Sequence, residues 1–157
     1  MPVSREATSV VEHEVRIEAR PETVFSYFTD PARFVQWMGS EATLDPKPGG
    51  VCRVAFDDEA AALGEFVELE LDRRAVFTWG WEARWFQMPP QSTVVEVVLV
   101  PDGEGTIVRL VHSRLPAAAT DFHRTGWRHY LGRLAIAATG ASAGPDSLAA
   151  ALRSRSR

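Results

Sequence analysis

The sequence predicts an α+β fold in which a curved antiparallel sheet of about six to seven strands packs against a long C-terminal helix, with two short helices after the first strand. Three observations lead to this prediction. Near the N-terminus, apolar residues alternate with charged ones, as in a half-buried strand. The middle of the chain repeats such alternating segments between tight turns. The last long segment has apolar residues three and four positions apart, which is typical of an amphipathic helix.

The first strand and the two short helices follow from alternation and proline placement. Residues 11–17 alternate valine, histidine or isoleucine with charged residues. Pro21 then favours the first position of a helix. Asp30 and Pro31 repeat this start signal as N-cap and first helical residue. We therefore expect two short helices that meet at an angle rather than one continuous rod.

Six consecutive strands are predicted after these helices. They are joined by short turns such as DRR at residues 72–74 and PDGEG at residues 101–105, which predict an antiparallel meander. A meander must bury one face, and the C-terminal helix is the only predicted element long enough to cover it. The predicted strands are 41–44, 51–56, 64–71, 75–81, 92–100 and 106–115.

The C-terminal helix is predicted over residues 120–139, with Thr120 or Asp121 as its N-cap and Gly140 at its end. Its apolar stripe carries an indole, a phenol and an imidazole, so it is wide and partly polar. The stripe consists of His123, Trp127, Tyr130, Leu131, Leu134 and Ala138. This pattern leaves open whether the face only packs on the core or also covers a ligand pocket.

Composition limits the classes of function. A chain of 157 residues fits one domain, which we place at residues 11–140, between a flexible N-terminus at 1–10 and a flexible tail at 141–157. The net charge of −4 implies no general attraction to nucleic acid. The chain has no signal-peptide core and no apolar run of the roughly 18 residues that a membrane span needs. We therefore expect a cytoplasmic protein.

No metal site and no cofactor are predicted. The single cysteine, Cys52, excludes an internal disulfide and a pair of cysteine ligands. His123 and His129 are six residues apart on the predicted helix, so they point in different directions. Glycine-rich phosphate loops, zinc-binding helices and serine nucleophile motifs do not occur in the sequence.

Several short motifs, in order along residues 10–139, resemble one known family. They are GG at 49–50 before a strand, DRRAVF leading to TWGW at 78–81, DGEGT at 102–106, LVHS at 110–113 and GWRHYLGRL at 126–134. Together they are similar to the activator-of-Hsp-90-ATPase homologues, a branch of the START-like superfamily that includes the birch pollen allergen Bet v 1. The resemblance implies a helix-grip fold with a hydrophobic cavity between the sheet and the C-terminal helix.

The resemblance also indicates a range of functions. The superfamily includes lipid and polyketide carriers, aromatase/cyclases, hydroxylase domains and proteins that sequester toxic compounds. The eukaryotic co-chaperone that gives the family its name resembles this chain only through its C-terminal domain. Because that co-chaperone acts largely through a separate N-terminal domain, the family name does not predict a stand-alone chaperone activator.

The predicted ligand pocket consists of the inward-facing residues, which include four of the five tryptophans. Large flat side chains between sheet and helix suit a planar or polycyclic apolar ligand. The alternative is an aromatic core that is filled by its own side chains. The predicted pocket residues are Trp37, Met38, Phe56, Phe66, Trp79, Trp81, Val95, Val97, Leu110, His112, Trp127, Tyr130, Leu131 and Leu134.

His112 is the polar candidate in this set. It is in register with Val108 and Leu110, so it should point inward, where an unpaired imidazole is costly. Two interpretations follow. Neighbouring groups satisfy the imidazole, or it serves as a hydrogen-bond partner or acid/base group for a bound carbonyl or hydroxyl.

Glu68 is the candidate carboxylate that would accompany His112 in catalysis. By alternation it shares a face with Phe66, whereas Val67, Leu69 and Leu71 form the more apolar face. Either a bulge reconciles these two patterns or Glu68 is a solvated residue of the sheet.

Three functional hypotheses remain. The leading one is a binding protein for a small hydrophobic, aromatic or polyketide-like molecule. The second is a cyclase, dehydratase or hydrolase that uses His112 and a carboxylate of the pocket. The third is a module that interacts with a chaperone. Trp85, Phe86 and Met88 lie in a proline-closed loop that would be a pocket lid or a patch buried in a homodimer.

Overall fold

Seven antiparallel strands form one sheet in this computed structural model, which describes residues 8–56, 60–82 and 88–148. The strands are β1 (Thr8–Ile17), β2 (Glu41–Leu44), β3 (Val51–Ala55), β4 (Ala61–Glu70), β5 (Arg74–Trp79), β6 (Thr93–Asp102) and β7 (Gly105–Pro116). Their order across the sheet is β1-β7-β6-β5-β4-β3-β2. The predicted meander of six strands is confirmed, and the first strand pairs with the last.

Two short helices, α1 (Pro21–Thr29) and α2 (Pro31–Phe34), follow β1, as predicted. Pro21 occupies the first turn of α1. The Asp30 carboxylate accepts a hydrogen bond of 2.9 Å from the backbone N–H of Ala32 and so caps α2. The α+β prediction is therefore confirmed in the order of its elements as well as in its class.

The long helix α3 (Thr120–Ala137) has 18 residues. Its predicted N-cap at Thr120 or Asp121 is wrong, since the capping position is Ala119 and no side chain caps it. A 3₁₀ turn (Ala117–Ala119) leads directly into the helix, and the N–H of Thr120 bonds to the carbonyl of Ala117. The hydroxyl of Thr120 instead bonds to that of Ser9 and so ties α3 to β1.

The core lies between the sheet and α3, with α1 and α2 closing one end. The rings of Trp79 on β5 and Trp127 on α3 are 5.5 Å apart. The Tyr27 hydroxyl donates to the carbonyl of Ala137 at 2.9 Å, and the Trp37 indole N–H donates to the carbonyl of Tyr27 at the same distance. These bonds attach α1 to the end of α3 and to the turn that follows α2.

A bulge in β4 decides which of its faces is buried. The pairing with β5 shifts register between Phe66 and Glu68. Phe66 is buried, whereas Val67 is 43% and Leu71 79% exposed. The apolar pattern at positions 67, 69 and 71 therefore does not mark the core face of this strand.

Other boundaries differ from the prediction by a few residues. β5 ends at Trp79, and Trp81 beyond it makes an isolated bridge to Ala62. The turn between β6 and β7 is shorter than predicted, because both strands continue until only Gly103 and Glu104 separate them. No helix within the described ranges has the length and apolar character needed to cross a membrane.

Candidate ligand-binding site

A small pocket lies between α3 and the neighbouring ends of the sheet and α2. Its wall contains six phenylalanine, tryptophan and tyrosine rings and the imidazole of His123. Its volume is about 30 Å³, which is close to the share of one water molecule in the liquid. The lining residues are Met38, Phe56, Trp79, Trp81, Phe122, His123, Gly126, Trp127, Tyr130 and Leu148.

The structure brings six of the predicted pocket residues to this wall: Met38, Phe56, Trp79, Trp81, Trp127 and Tyr130. The remaining apolar ones are buried in the surrounding core. They are Trp37, Phe66, Val95, Val97, Leu110, Leu131 and Leu134. These side chains fill space that a wide cavity would occupy, and the pocket is confined to one region under α3.

Four lining residues were not predicted as pocket residues. Phe122 and His123 lie in the first turn of α3, and the apolar stripe had already marked His123 as inward-facing. Gly126 has no side chain to signal its position. Leu148 belongs to the segment after α3, where the sequence has no periodicity to indicate contact.

His112 is fully buried and both of its ring nitrogens are engaged. The Thr93 hydroxyl donates to the carbonyl of Trp79 at 2.6 Å, so it must accept from Nε2–H of His112, which is 2.7 Å away. The Trp127 indole N–H donates to Nδ1 at 2.9 Å. Burial, helped by the facing His123, lowers the pKa of His112 to about 2. The imidazole is therefore neutral near pH 7.

His123 forms a matching pair with Trp81. Its Nδ1–H donates to the carbonyl of Ala119 at 2.7 Å, and its Nε2 accepts from the Trp81 indole N–H at 3.1 Å. Burial lowers the pKa of His123 to about 4, although the bond to Ala119 opposes this shift. Each histidine thus holds one indole of the pocket wall in a fixed orientation.

Glu68 is not brought to His112. Its side chain is 58% exposed, and its carboxylate accepts a hydrogen bond of 2.8 Å from the Arg74 guanidinium. The same guanidinium bonds to Glu96. Of the two alternatives for Glu68, the structure combines both, since the β4 bulge is present and Glu68 faces solvent. The partners of His112 are the Thr93 hydroxyl and the Trp127 indole, and Glu68 does not accompany it.

Residues 141–148, here called the strap, fold back along α3 and close the pocket. The Asp146 carboxylate accepts bonds of 2.7 Å from the Tyr130 hydroxyl and 2.8 Å from Nε2 of His129. Leu148 reaches the pocket wall. Burial first, and then Asp146, raises the pKa of Tyr130 above its ordinary value. Tyr130 therefore remains a hydrogen-bond donor.

Arg133 attaches the strap to the rest of the molecule. Its Nη1 donates to the carbonyls of residues 143, 144 and 145 at 3.0 to 3.3 Å. Its Nε donates to the carbonyl of Trp37 at 3.0 Å. One guanidinium thus connects the strap, α3 and the residues that follow α2.

The loop proposed as a lid or dimer patch is described only in part. Trp85 and Phe86 lie outside the described residues. Met88 is fully buried, and its carbonyl accepts from the N–H of Trp81 at 2.8 Å. Met88 therefore belongs to the core rather than to an exposed patch.

Comparison with known proteins identifies relatives along most of the chain. A sequence model of the family described as "Activator of Hsp90 ATPase homolog 1-like protein" matches residues 18–139. No curated protein matches the sequence. An AHSA1-like protein from Rhizobium etli is 38% identical, with a TM-score of 0.70, and the match covers 90% of this chain and 88% of that one.

Two further solved structures are similar. DynU16, from the dynemicin biosynthetic locus, is 26% identical with a TM-score of 0.74. The match covers 87% of this chain and 50% of DynU16, so this chain spans half the length of that relative. An Hsp90 activator from Plasmodium falciparum shares the fold at 24% identity and a TM-score of 0.66, over 80% of this chain and 92% of that one.

Proposed function

Because the chain belongs to the activator of Hsp90 ATPase homolog 1-like family, we propose that it uses the interior of that fold to bind a small molecule. The ligand would be hydrophobic and aromatic or polyketide-like. It would lie in the pocket between the sheet and α3. Six aromatic rings line that pocket, and such rings favour stacking with a planar ligand.

Gly126 is the observation that carries this proposal. Glycine inside a helix costs about 1 kcal/mol relative to alanine. Gly126 lines the pocket, and a Cβ added there would have no atom within 4 Å. The helix therefore carries a destabilising residue at a point where its absent side chain leaves open space beside aromatic rings.

The size of the pocket limits how a ligand would be accommodated. With the strap in place, about 30 Å³ is open, far below the roughly 300 Å³ of typical ligand pockets. A ligand larger than a water molecule would therefore take the place of Leu148. Leu148 is the one lining residue on the strap, and the strap is held by polar bonds that water can replace.

Binding is better supported than catalysis. A general base near pH 7 needs a pKa close to the working pH, whereas those of His112 and His123 are about 2 and about 4. Both imidazoles are also committed to indole N–H groups of the wall. This arrangement favours a rigid binding surface over a cyclase, dehydratase or hydrolase.

Three expectations from the sequence stay predictions: association with a chaperone, homodimerisation and a cytoplasmic location. The likeness to the Plasmodium falciparum activator, at 24% identity, concerns the fold. Relatives from a biosynthetic locus, such as DynU16, are more in keeping with a small-molecule ligand.

A pair of glycine substitutions tests the proposed function. Gly126→Leu would fill the pocket, whereas Gly132→Leu places the same side chain on the exposed side of α3, again with open space around it. We expect Gly126→Leu to weaken binding of the neutral fluorescent probe N-phenyl-1-naphthylamine by about tenfold or more, equivalent to about 1.4 kcal/mol. Gly132→Leu should change the affinity less than about twofold, which is the scatter of surface substitutions.

The readout is a fluorescence titration of each purified variant. Saturable binding that is lost only in Gly126→Leu supports the proposal. Equal affinity in both variants, or no saturable binding of this probe or of other polycyclic aromatics to the wild type, would rule the pocket out as a binding site.

A further inference from the structure

The strap carries two chemical groups two residues apart, one of which lines the pocket. Asp146 supplies a carboxylate that is 15% exposed, and Leu148 supplies an apolar side chain that lines the pocket together with the aromatic rings. The N–H of Leu148 donates to the Asp146 carboxylate at 3.0 Å, which keeps the two groups close together. The strap therefore places a compact unit at the pocket, with the apolar Leu148 in its wall and the acidic Asp146 bonded to the hydroxyl of the lining residue Tyr130.

The groups that receive the acidic end lie on one side of α3. The Tyr130 hydroxyl and Nε2 of His129 hold the two carboxylate oxygens at 2.7 and 2.8 Å, one bond to each oxygen. Hydrogen bonds to an ionised carboxylate are stronger than those between neutral groups. Arg133, four residues after His129, lies on the same side of the helix.

Arg133 adds a positive charge to this side of the helix. Within the described residues, each hydrogen bond of its Nη1 goes to a carbonyl of the strap. If the strap moved away, that end of the guanidinium would be released beside Tyr130 and His129. A planar guanidinium suits a carboxylate in particular.

We propose that the pocket recognises an aromatic carboxylic acid, whose ring replaces Leu148 and whose carboxylate replaces Asp146 on Tyr130 and His129. This proposal rests on the proposed function and names the class of ligand. The strap then acts as an internal competitor that resembles the ligand, with Asp146 in the place of the acid and Leu148 in the place of the ring.

An internal competitor lowers the apparent affinity of the ligand, because a tethered group has a high effective concentration at its site. Removing the acidic end of the strap should therefore strengthen binding of an aromatic acid. The same change should affect a neutral aromatic of equal shape much less, since such a molecule does not use the carboxylate position.

The test uses 2-naphthoic acid and its neutral isostere 2-naphthamide, titrated into the full chain by isothermal calorimetry at pH 7. In Asp146→Ala we expect the affinity for the acid to rise by about tenfold, the gain typical of freeing one charged hydrogen-bond site. The affinity for the amide should change less than about threefold. Asp121→Ala on α3 is the matched control, because it also removes one negative charge, at a side chain that is 96% exposed.

A second substitution separates a binding role from a structural one. In the Asp146→Ala background, Tyr130→Phe keeps the ring and removes the donor. The affinity for the acid should then fall by about tenfold, with that for the amide unchanged. If Asp146→Ala proves unfolded by circular dichroism, Asp146→Asn is the alternative, since it keeps the shape and removes the charge.

The outcomes distinguish this inference from the proposed function. If the amide binds Asp146→Ala as tightly as the acid does, the pocket has no carboxylate preference and the inference fails, although aromatic binding stands. An equal gain in Asp121→Ala would likewise overturn it, as a general charge effect. If neither compound nor N-phenyl-1-naphthylamine binds any variant, the proposed function itself fails.

Discussion

The two buried histidines should make the protein less stable as the pH falls below about 6.5. Burial lowers the folded-state pKa of His112 to about 2 and that of His123 to about 4, from an ordinary value of 6.5. Between pH 6.5 and 4, the unfolded chain therefore binds protons that the folded chain excludes. Each such proton reduces the free energy of unfolding by about 1.4 kcal/mol per pH unit.

Urea unfolding at pH 7, 6 and 5 measures this dependence. We expect His112→Gln to reduce the slope by about one proton, or about 1.4 kcal/mol per pH unit, and His112→Gln/His123→Gln to remove nearly all of it in this range. His112→Gln should also lower the free energy of unfolding by about 1–3 kcal/mol at pH 7, because the Trp127 indole N–H loses a correctly placed acceptor. A slope that is unchanged in the double variant would mean that other groups control the acid sensitivity.

At the level of single residues, the sequence predicted orientation better than partnership. Alternation along β7 placed His112 inward because successive strand side chains point to opposite faces. Its partners, Thr93 on β6 and Trp127 on α3, are set by the packing of three elements, which periodicity within one segment cannot express. For the same reason, the sequence suggested Glu68 as a partner of His112, although the Glu68 side chain faces solvent.

Among the secondary-structure elements, the close approach of β4 to β5 depends on a glycine. β4 pairs with β3 through residues 61–65 and with β5 through residues 66–70. At Gly64 an added Cβ would lie 1.7 Å from the carbonyl oxygen of Thr78 on β5. The backbone fixes both the position of a Cβ and that of the carbonyl oxygen, so no rotation of a side chain can relieve this contact.

Gly64→Ala should therefore destabilise the protein by about 3 kcal/mol or more, as overpacking against backbone does. The control is Gly132→Ala on the exposed side of α3, where a Cβ meets nothing. It should stabilise the protein by up to about 1 kcal/mol. Urea unfolding of both variants provides the comparison. A loss below about 1 kcal/mol for Gly64→Ala would show that β4 and β5 can separate there without cost.

The order and type of the elements could be predicted because each has a local signal. Prolines and Asp30 mark the starts of α1 and α2, and alternation marks the strands. The bulge after Phe66 could be offered only as one of two alternatives, and the start of α3 was predicted wrongly. Both depend on how a segment meets its neighbour: the register of β4 against β5, and the 3₁₀ turn that joins β7 to α3.

For the whole molecule, the unpredicted feature is the strap. The tail after Gly140 is rich in small and polar residues, a composition typical of flexible segments, so the sequence predicted no contacts for it. The contacts that the structure shows are made mainly by polar groups and carbonyls, through Asp146 and Arg133. These interactions leave no periodic apolar pattern, and they complete a pocket whose other walls could be predicted in part.

The strap should open far more readily than the core, and Arg133 should control that opening. Arg133→Ala removes the bonds to three strap carbonyls and to Trp37. Because hydrogen bonds to a charged donor contribute about 1.5–3 kcal/mol, we expect amide hydrogen exchange in residues 141–148 to accelerate by about tenfold or more. Exchange in β6 and β7, which have a paired strand on each side in the sheet, should change by less than about threefold. The control is Arg128→Ala, an exposed position on the same helix. Equal acceleration across the sheet would mean that Arg133 stabilises the whole domain, and no acceleration in the strap would mean that Asp146 and Leu148 hold it closed without help from the guanidinium.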